Sequence, residues 1–142
     1  MDTGLLKPVV ALAAWSMLVW AWLFIVRIPA LRKAGIDMTR YTGGTGKDLD
    51  RVLPEKPQWI AHNYNHLMEQ PTLFYAVALA LALLGQGTGP NVTLAWGYVV
   101  LRVAHSIVQA TWNKVTIRFL LFMLASLCLV ALTVQAVIAV FN

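Results

Sequence analysis

The 142-residue chain is 59% hydrophobic and only 12% charged, with a mean hydropathy of +0.67. A soluble domain carries about 25% charged residues, so half of the usual solvating charge is absent and a soluble globular protein is excluded. The net charge of +5 does not point to nucleic acid, because the basic residues are placed as membrane-topology signals rather than as a binding patch.

The first uncharged run, Pro8 to Val26, is nineteen residues long. A bilayer core of about 30 Å needs about 20 helical residues, so the run predicts a transmembrane helix over about residues 5–28, ended by Arg27 and Pro29. Its apolar part exceeds that of a cleavable signal, and the flank RIPALRK is a stop-transfer pattern. The one long connection, residues 28–56, follows. Its TGGTGKD stretch has a glycine spacing that does not fit a phosphate loop, and Asp48 stands where that loop needs a hydroxyl.

Three further runs follow. Pro57 to Gly85 is interrupted only by Glu69, Asn91 to Asn113 only by Arg102, and Phe119 to Asn142 carries no charge. They predict helices over about 57–86, 91–112 and 115–141, giving an all-α, integral membrane four-helix bundle in a single domain. Pro57 suits a helix start, and Pro71 is expected to kink the second helix and free a carbonyl near Leu67. The short TWNKVT link makes the last two helices an antiparallel pair, and Trp59, Trp96 and Trp112 fall at expected interfaces. The lone Cys128 has no partner thiol and reads as a buried apolar residue.

Seven of the eleven basic residues (Arg27, Arg32, Lys33, Arg40, Lys47, Arg51 and Lys56) lie at or between the first two helices. Lys114 and Arg118 mark the last junction, whereas the GQGTGPN turn has no charge. Short basic loops stay in the cytoplasm. A multi-pass protein with both termini on the opposite side is therefore expected.

The polar residues are not scattered. His62, Asn65, His66 and Glu69 stand at i, i+3, i+4 and i+7, one face of a helix, and Arg102, His105 and Gln109 make a second stripe. Arg118 opens the last helix. A charge near the bilayer centre costs about 2.5–3.5 kcal/mol on insertion scales, so Glu69 and Arg102 must face protein or water. All three groups come to the cytoplasmic end, where they can line a shared pocket. Structural uses stand beside this reading: a Glu69–Arg102 pair fixing helix register, a His105 bond to a backbone carbonyl, or a snorkelling Arg118.

With NHLMEQP in the second helix, RVAH in the third and IRFLLF opening the fourth, the layout resembles the MAPEG family, the membrane-associated proteins in eicosanoid and glutathione metabolism. The likeness covers essentially the whole chain in length, helix count and topology. It implies a homotrimer of the microsomal glutathione transferase type, with a glutathione site between neighbouring subunits near the cytoplasmic face. The arginine matching Arg118 holds the glutathione thiol as thiolate in such proteins. The residues matching Arg102 and Glu69 bind the peptide, and Arg27 or Arg32 matches an arginine of the first helix. His62, Asn65, His66, His105 and Gln109 complete the candidate glutathione-binding set. The sequence departs from the family pattern at Gln109, where the enzymes usually carry a tyrosine, and at His62 and His66, where arginine and asparagine are usual.

The chemistry suits those residues independently. A thiol pKa lies near about 8.5, and the thiolate is the nucleophile. A cation at a helix N-terminus stabilises it through charge and through free N–H groups, while lipophilic electrophiles arrive through the bilayer. Two other classes stay open: a non-catalytic lipid-binding trimer, and a membrane protein binding a metal through His62, His66, Glu69 and His105. The charge pattern also makes a direct prediction. A cysteine placed by Thr45→Cys should react with a membrane-impermeant thiol reagent supplied from the cytoplasmic side, and protection there would reverse the topology.

Overall fold

The computed structural model describes residues 3–40 and 42–142. Among these residues there are five α-helices: α1 (Leu6–Lys33), α2 (Glu55–Leu67), α3 (Pro71–Leu83), α4 (Pro90–Thr111) and α5 (Val115–Phe141). Two short 3₁₀ turns, Met38–Arg40 and Gly46–Arg51, lie in the connection between α1 and α2. The expected count of four is thus corrected to five, because the second predicted helix is two helices of 13 residues each.

The break has a local cause. Pro71 has no N–H, and its ring crowds the carbonyl one turn back. Met68 therefore closes α2 with a tighter bond to the Asn65 carbonyl (2.9 Å), and the chain restarts with Pro71 at the first helical position, where the missing N–H costs nothing. Thr72 ties the new start down, since both its N–H (3.2 Å) and its hydroxyl (2.7 Å) donate to the Glu69 carbonyl.

Two other boundaries differ from expectation. Pro29 does not end α1, which continues through it to Lys33. The helix stops instead at Gly35, whose φ of +69° is left-handed. Gly35 N–H reaches the Arg32 carbonyl and Ile36 N–H the Leu31 carbonyl, both at 3.1 Å, the pair of bonds that closes a Schellman motif. At the other boundary, α2 begins at Glu55, two residues before Pro57.

Helix α1 buries Leu5, Pro8, Leu12, Ser16, Val19 and Leu23, at the three- and four-residue spacing of a single stripe. That stripe lies against α2, α3 and α4, and α5 packs on α3 and α4. Phe74 of α3 stacks on Tyr98 of α4 with ring centroids 4.5 Å apart, and Leu67, Ala95, Ala125, Leu129 and Leu132 complete the core. Among the described residues, α1 and α5 are each long and apolar enough to cross a membrane. Only 22% of the apolar window of either helix is buried inside the chain, so most of that surface faces lipid or another chain.

The antiparallel α4–α5 pair is the closest contact. Gly97 faces Cys128, which is half-buried, and a Cβ at Gly97 would stand 3.4 Å from its Sγ. Small residues permit such close approach of membrane helices. Gly97→Leu should force α4 and α5 apart and destabilise the fold by about 1–3 kcal/mol, the usual cost of overpacking. A melting temperature unchanged from wild type in detergent would show that the contact is loose.

Candidate functional site

The α2–α3 break points into a cluster built by α2, α4 and α5. Arg102, on the buried face of α4, is 0% exposed. Its Nη2 donates to the His66 carbonyl at 2.8 Å, and its Nη1 lies 3.2 Å from His66 Nε2. One residue at the C-terminal end of α2 thus takes both arms of the guanidinium. A helix C-terminus carries unsatisfied carbonyls and the negative end of the dipole, so a cation is favoured there. The other ring nitrogen, His66 Nδ1, is 2.9 Å from Glu69 Oε2. The Glu69 side chain is 67% exposed, so the carboxylate stays wet while the arginine is dry.

The cluster continues into α4 and α5. The His105 ring lies 4.9 Å from the His66 ring, and Phe122 of α5 packs against His66 at 5.5 Å and His105 at 6.4 Å. The Arg102 guanidinium carbon sits 5.8 Å from the Phe122 ring centroid, within cation–π range. Arg118 precedes Phe122 by four residues and shares its face of α5. Asn113, in the left-handed region with φ of +53°, turns its Oδ1 to accept from Arg118 Nη1 at 2.5 Å. The Nε atoms of Arg102 and Arg118 are buried with no hydrogen-bond partner among the described residues. Gln109, 3% exposed, leaves its Oε1 unpartnered as well.

The remaining candidates fall elsewhere. His62 is exposed and bonds Asp50 at 2.8 Å, and Arg27 donates to the Gly46 carbonyl at 2.8 Å. Together with Asn65, they line a cavity of about 330 Å³ between α1, α2 and the second 3₁₀ turn. Gln58 secures the same turn, its amide donating to the Asp50 (2.8 Å) and Leu53 carbonyls. Arg32 is exposed and belongs to neither group. The expected single stripe of His62, Asn65, His66 and Glu69 is therefore corrected. α2 turns His62 and Asn65 to the loop and His66 to α4, and Glu69 lies beyond its end. The direct Glu69–Arg102 pair is also replaced, because His66 stands between the two. Nor do His62 and His66 form a chelate. Their ring nitrogens face Asp50, Glu69 and a cationic Arg102, and no group of three or more metal-ligating side chains comes together among the described residues.

Several site residues were not legible from charge or motif. Ser106 is fully buried, and its hydroxyl oxygen accepts from Trp15 Nε1 at 3.0 Å and from Asn63 Nδ2 at 2.8 Å. Gln70 donates to Ser126 at 2.8 Å and accepts from the Tyr98 hydroxyl at 3.3 Å, tying α3 to α4 and α5. Ser106, Asn63 and Gln70 directly follow His105, His62 and Glu69, and that adjacency to the polar stripes was the available signal.

An all-helical arrangement of the described residues, two helices long and apolar enough to cross a membrane and a buried, arginine-centred polar cluster fit a membrane protein. A family model described as "MAPEG family" matches residues 5–138, nearly the whole chain, and the protein belongs to that family. No curated protein and no solved structure matches it significantly.

The Ser106 node generates a stability prediction. Ser106→Ala strands the buried Asn63 amide and the half-buried Trp15 N–H, and leaving a buried donor unsatisfied costs about 1–3 kcal/mol. Unfolding in a denaturing detergent titration should shift accordingly; no shift would mean that water replaces the hydroxyl.

Proposed function

We propose that the protein is a four-pass, homotrimeric membrane enzyme that conjugates or reduces lipophilic electrophiles with glutathione at a cytoplasm-facing site. The observation that carries this reading is Arg102. It is fully buried, and among the described residues it pairs with no carboxylate. A buried charge is costly unless it is paired and hydrogen-bonded, and its dry environment strengthens attraction for an anion. Glutathione offers two carboxylates and a thiol, and members of this family generally use it. The unpartnered Nε atoms of Arg102 and Arg118 fit such a ligand.

In this reading Arg102, His105 and Glu69 hold the peptide, and Gln109 supplies an amide to it. Arg118 lies in the first turn of α5, where its charge adds to the positive end of the helix and favours a thiolate. Glutathione supplies the nucleophilic sulfur. Arg27, Arg32, His62 and Asn65 lie away from this cluster, and they contribute when a neighbouring subunit brings its own α1–α2 face alongside. The exposed apolar surfaces of α1 and α5 supply the lipid contacts and the trimer contacts.

A second reading has its own support. A groove of about 390 Å³ between α3 and α5 is lined by Leu73, Leu129, Val130, Val134 and Ile138, with Gln70 and Ser126 among its polar lining. It suits an aliphatic chain, and Gln109 cannot donate a proton as a phenol does, so a non-catalytic lipid-binding trimer would use the same surfaces. Arg118→Ala separates the two. In the enzyme, thiolate absorbance of bound glutathione at neutral pH should be lost as the thiol pKa returns toward about 8.5, and conjugation of a lipophilic electrophile should fall at least about tenfold, the equivalent of one pKa unit. Wild-type protein that binds glutathione without a thiolate signal would favour the binder.

A further inference from the structure

We infer that His66 is a positioning residue: as the neutral imidazole protonated on Nδ1, it spans Glu69 and Arg102 and aims the guanidinium, so that protonation of its ring releases Arg102. The assignment follows from donor and acceptor capacity. An arginine only donates, so His66 Nε2, 3.2 Å from Arg102 Nη1, must carry the lone pair. In a neutral imidazole the hydrogen is then on Nδ1, which is 2.9 Å from Glu69 Oε2, an acceptor. Each contact demands the same tautomer. The main chain of His66 adds the second constraint, because its carbonyl holds Arg102 Nη2 at 2.8 Å. Ring and carbonyl together fix the plane of the guanidinium.

A second proton on the ring would go to Nε2. It would set a donor against a donor and a cation against a cation at 3.2 Å, and the Nη1 bond would break. From α4 the ring meets Arg102 and His105, and from α5 Phe122, with the charge of Arg118 acting on it as well. Tyr98 of α4 and Tyr75 of α3 lie toward Arg102, and among the described residues Glu69 is the acid that bonds the ring. His62 stands one turn earlier on α2, paired with Asp50. The carboxylate is thus on the far side of the imidazole from the arginine.

The binding arm of the test rests on the proposed glutathione site; the spectroscopic arm does not. Nitrogen-15 spectra of histidine-labelled protein in micelles, assigned by loss of the signal in His66→Gln, should show an Nδ1–H, Nε2-unprotonated ring at neutral pH. That preference should weaken in Arg102→Met. An Nε2–H ring, or one unaffected by Arg102→Met, overturns the inference whether or not glutathione binds. For binding, glutathione itself is titrated by calorimetry from about pH 7.5 to about pH 4.5, through and below the ordinary imidazole range. Wild-type affinity should fall on the acid side. His66→Gln, which keeps an acceptor for Arg102 and does not titrate, should retain neutral-pH affinity and lose the acid-side fall. His66→Ala should bind about tenfold more weakly, the order expected for losing a charged hydrogen bond, with its melting temperature measured to show that it folds. A wild-type protein without the acid-side fall, an acid-side fall that persists in His66→Gln, or His66→Gln as weak as His66→Ala contradicts the positioning role. If the wild type binds no glutathione at all, the functional proposal fails alone and the spectra still decide the tautomer.

Discussion

Arg102 donates at once to the carbonyl and to the ring of His66, and the rest of the site is arranged around that pair of bonds. A guanidinium with no exposed surface would be prohibitive in an apolar bundle. Here it lies at the negative end of α2, where the Pro71 break leaves carbonyls without helical partners. Break and cation answer each other: the carbonyl needs a donor that the helix no longer supplies, and the arginine needs an acceptor that an intact helix would not spare. Hydrogen bonds to charged groups contribute about 1.5–3 kcal/mol each, enough to fix the register of α2 against α4.

From that anchor the chemistry divides. The dry side, with Arg102, His105, Phe122 and Arg118, is rich in cations and rings. The wet side, with Arg27, Asp50, His62 and Asn65, ties the α1–α2 connection onto the bundle. In that connection Asp37 accepts from the Thr39 hydroxyl at 2.6 Å and from its N–H at 3.0 Å, bonds that hold its carboxyl below the usual range. The two sides meet α2 one turn apart, at His62 and at His66. Electrostatics are least screened at Arg102, which has no exposed surface.

Legibility followed the same division. Membrane-length runs, a disturbance of the second helix at Pro71 and the short α4–α5 link were readable because each depends on local composition or on a missing N–H; that the disturbance is a full break was not. The α4 stripe of Arg102, His105 and Gln109 was readable because an unbroken helix keeps the i, i+3, i+7 face. The α2 stripe was misread for the converse reason. His62 and His66 stand four apart on one helix, yet neighbours on opposite sides draw them to different partners, and Glu69 lies past the point where the periodicity stops.

By itself the sequence determined the helical class, the membrane-length segments, the polar residues available for a site and the family to which the chain belongs. These follow from residue type and spacing along one helix. Only the tertiary structure decided that one helix is two, that Gly35 rather than Pro29 ends α1, and that His66 separates Glu69 from Arg102. Such outcomes depend on which donor from a distant helix reaches a carbonyl left free by a break, and spacing along the chain holds no record of that distance.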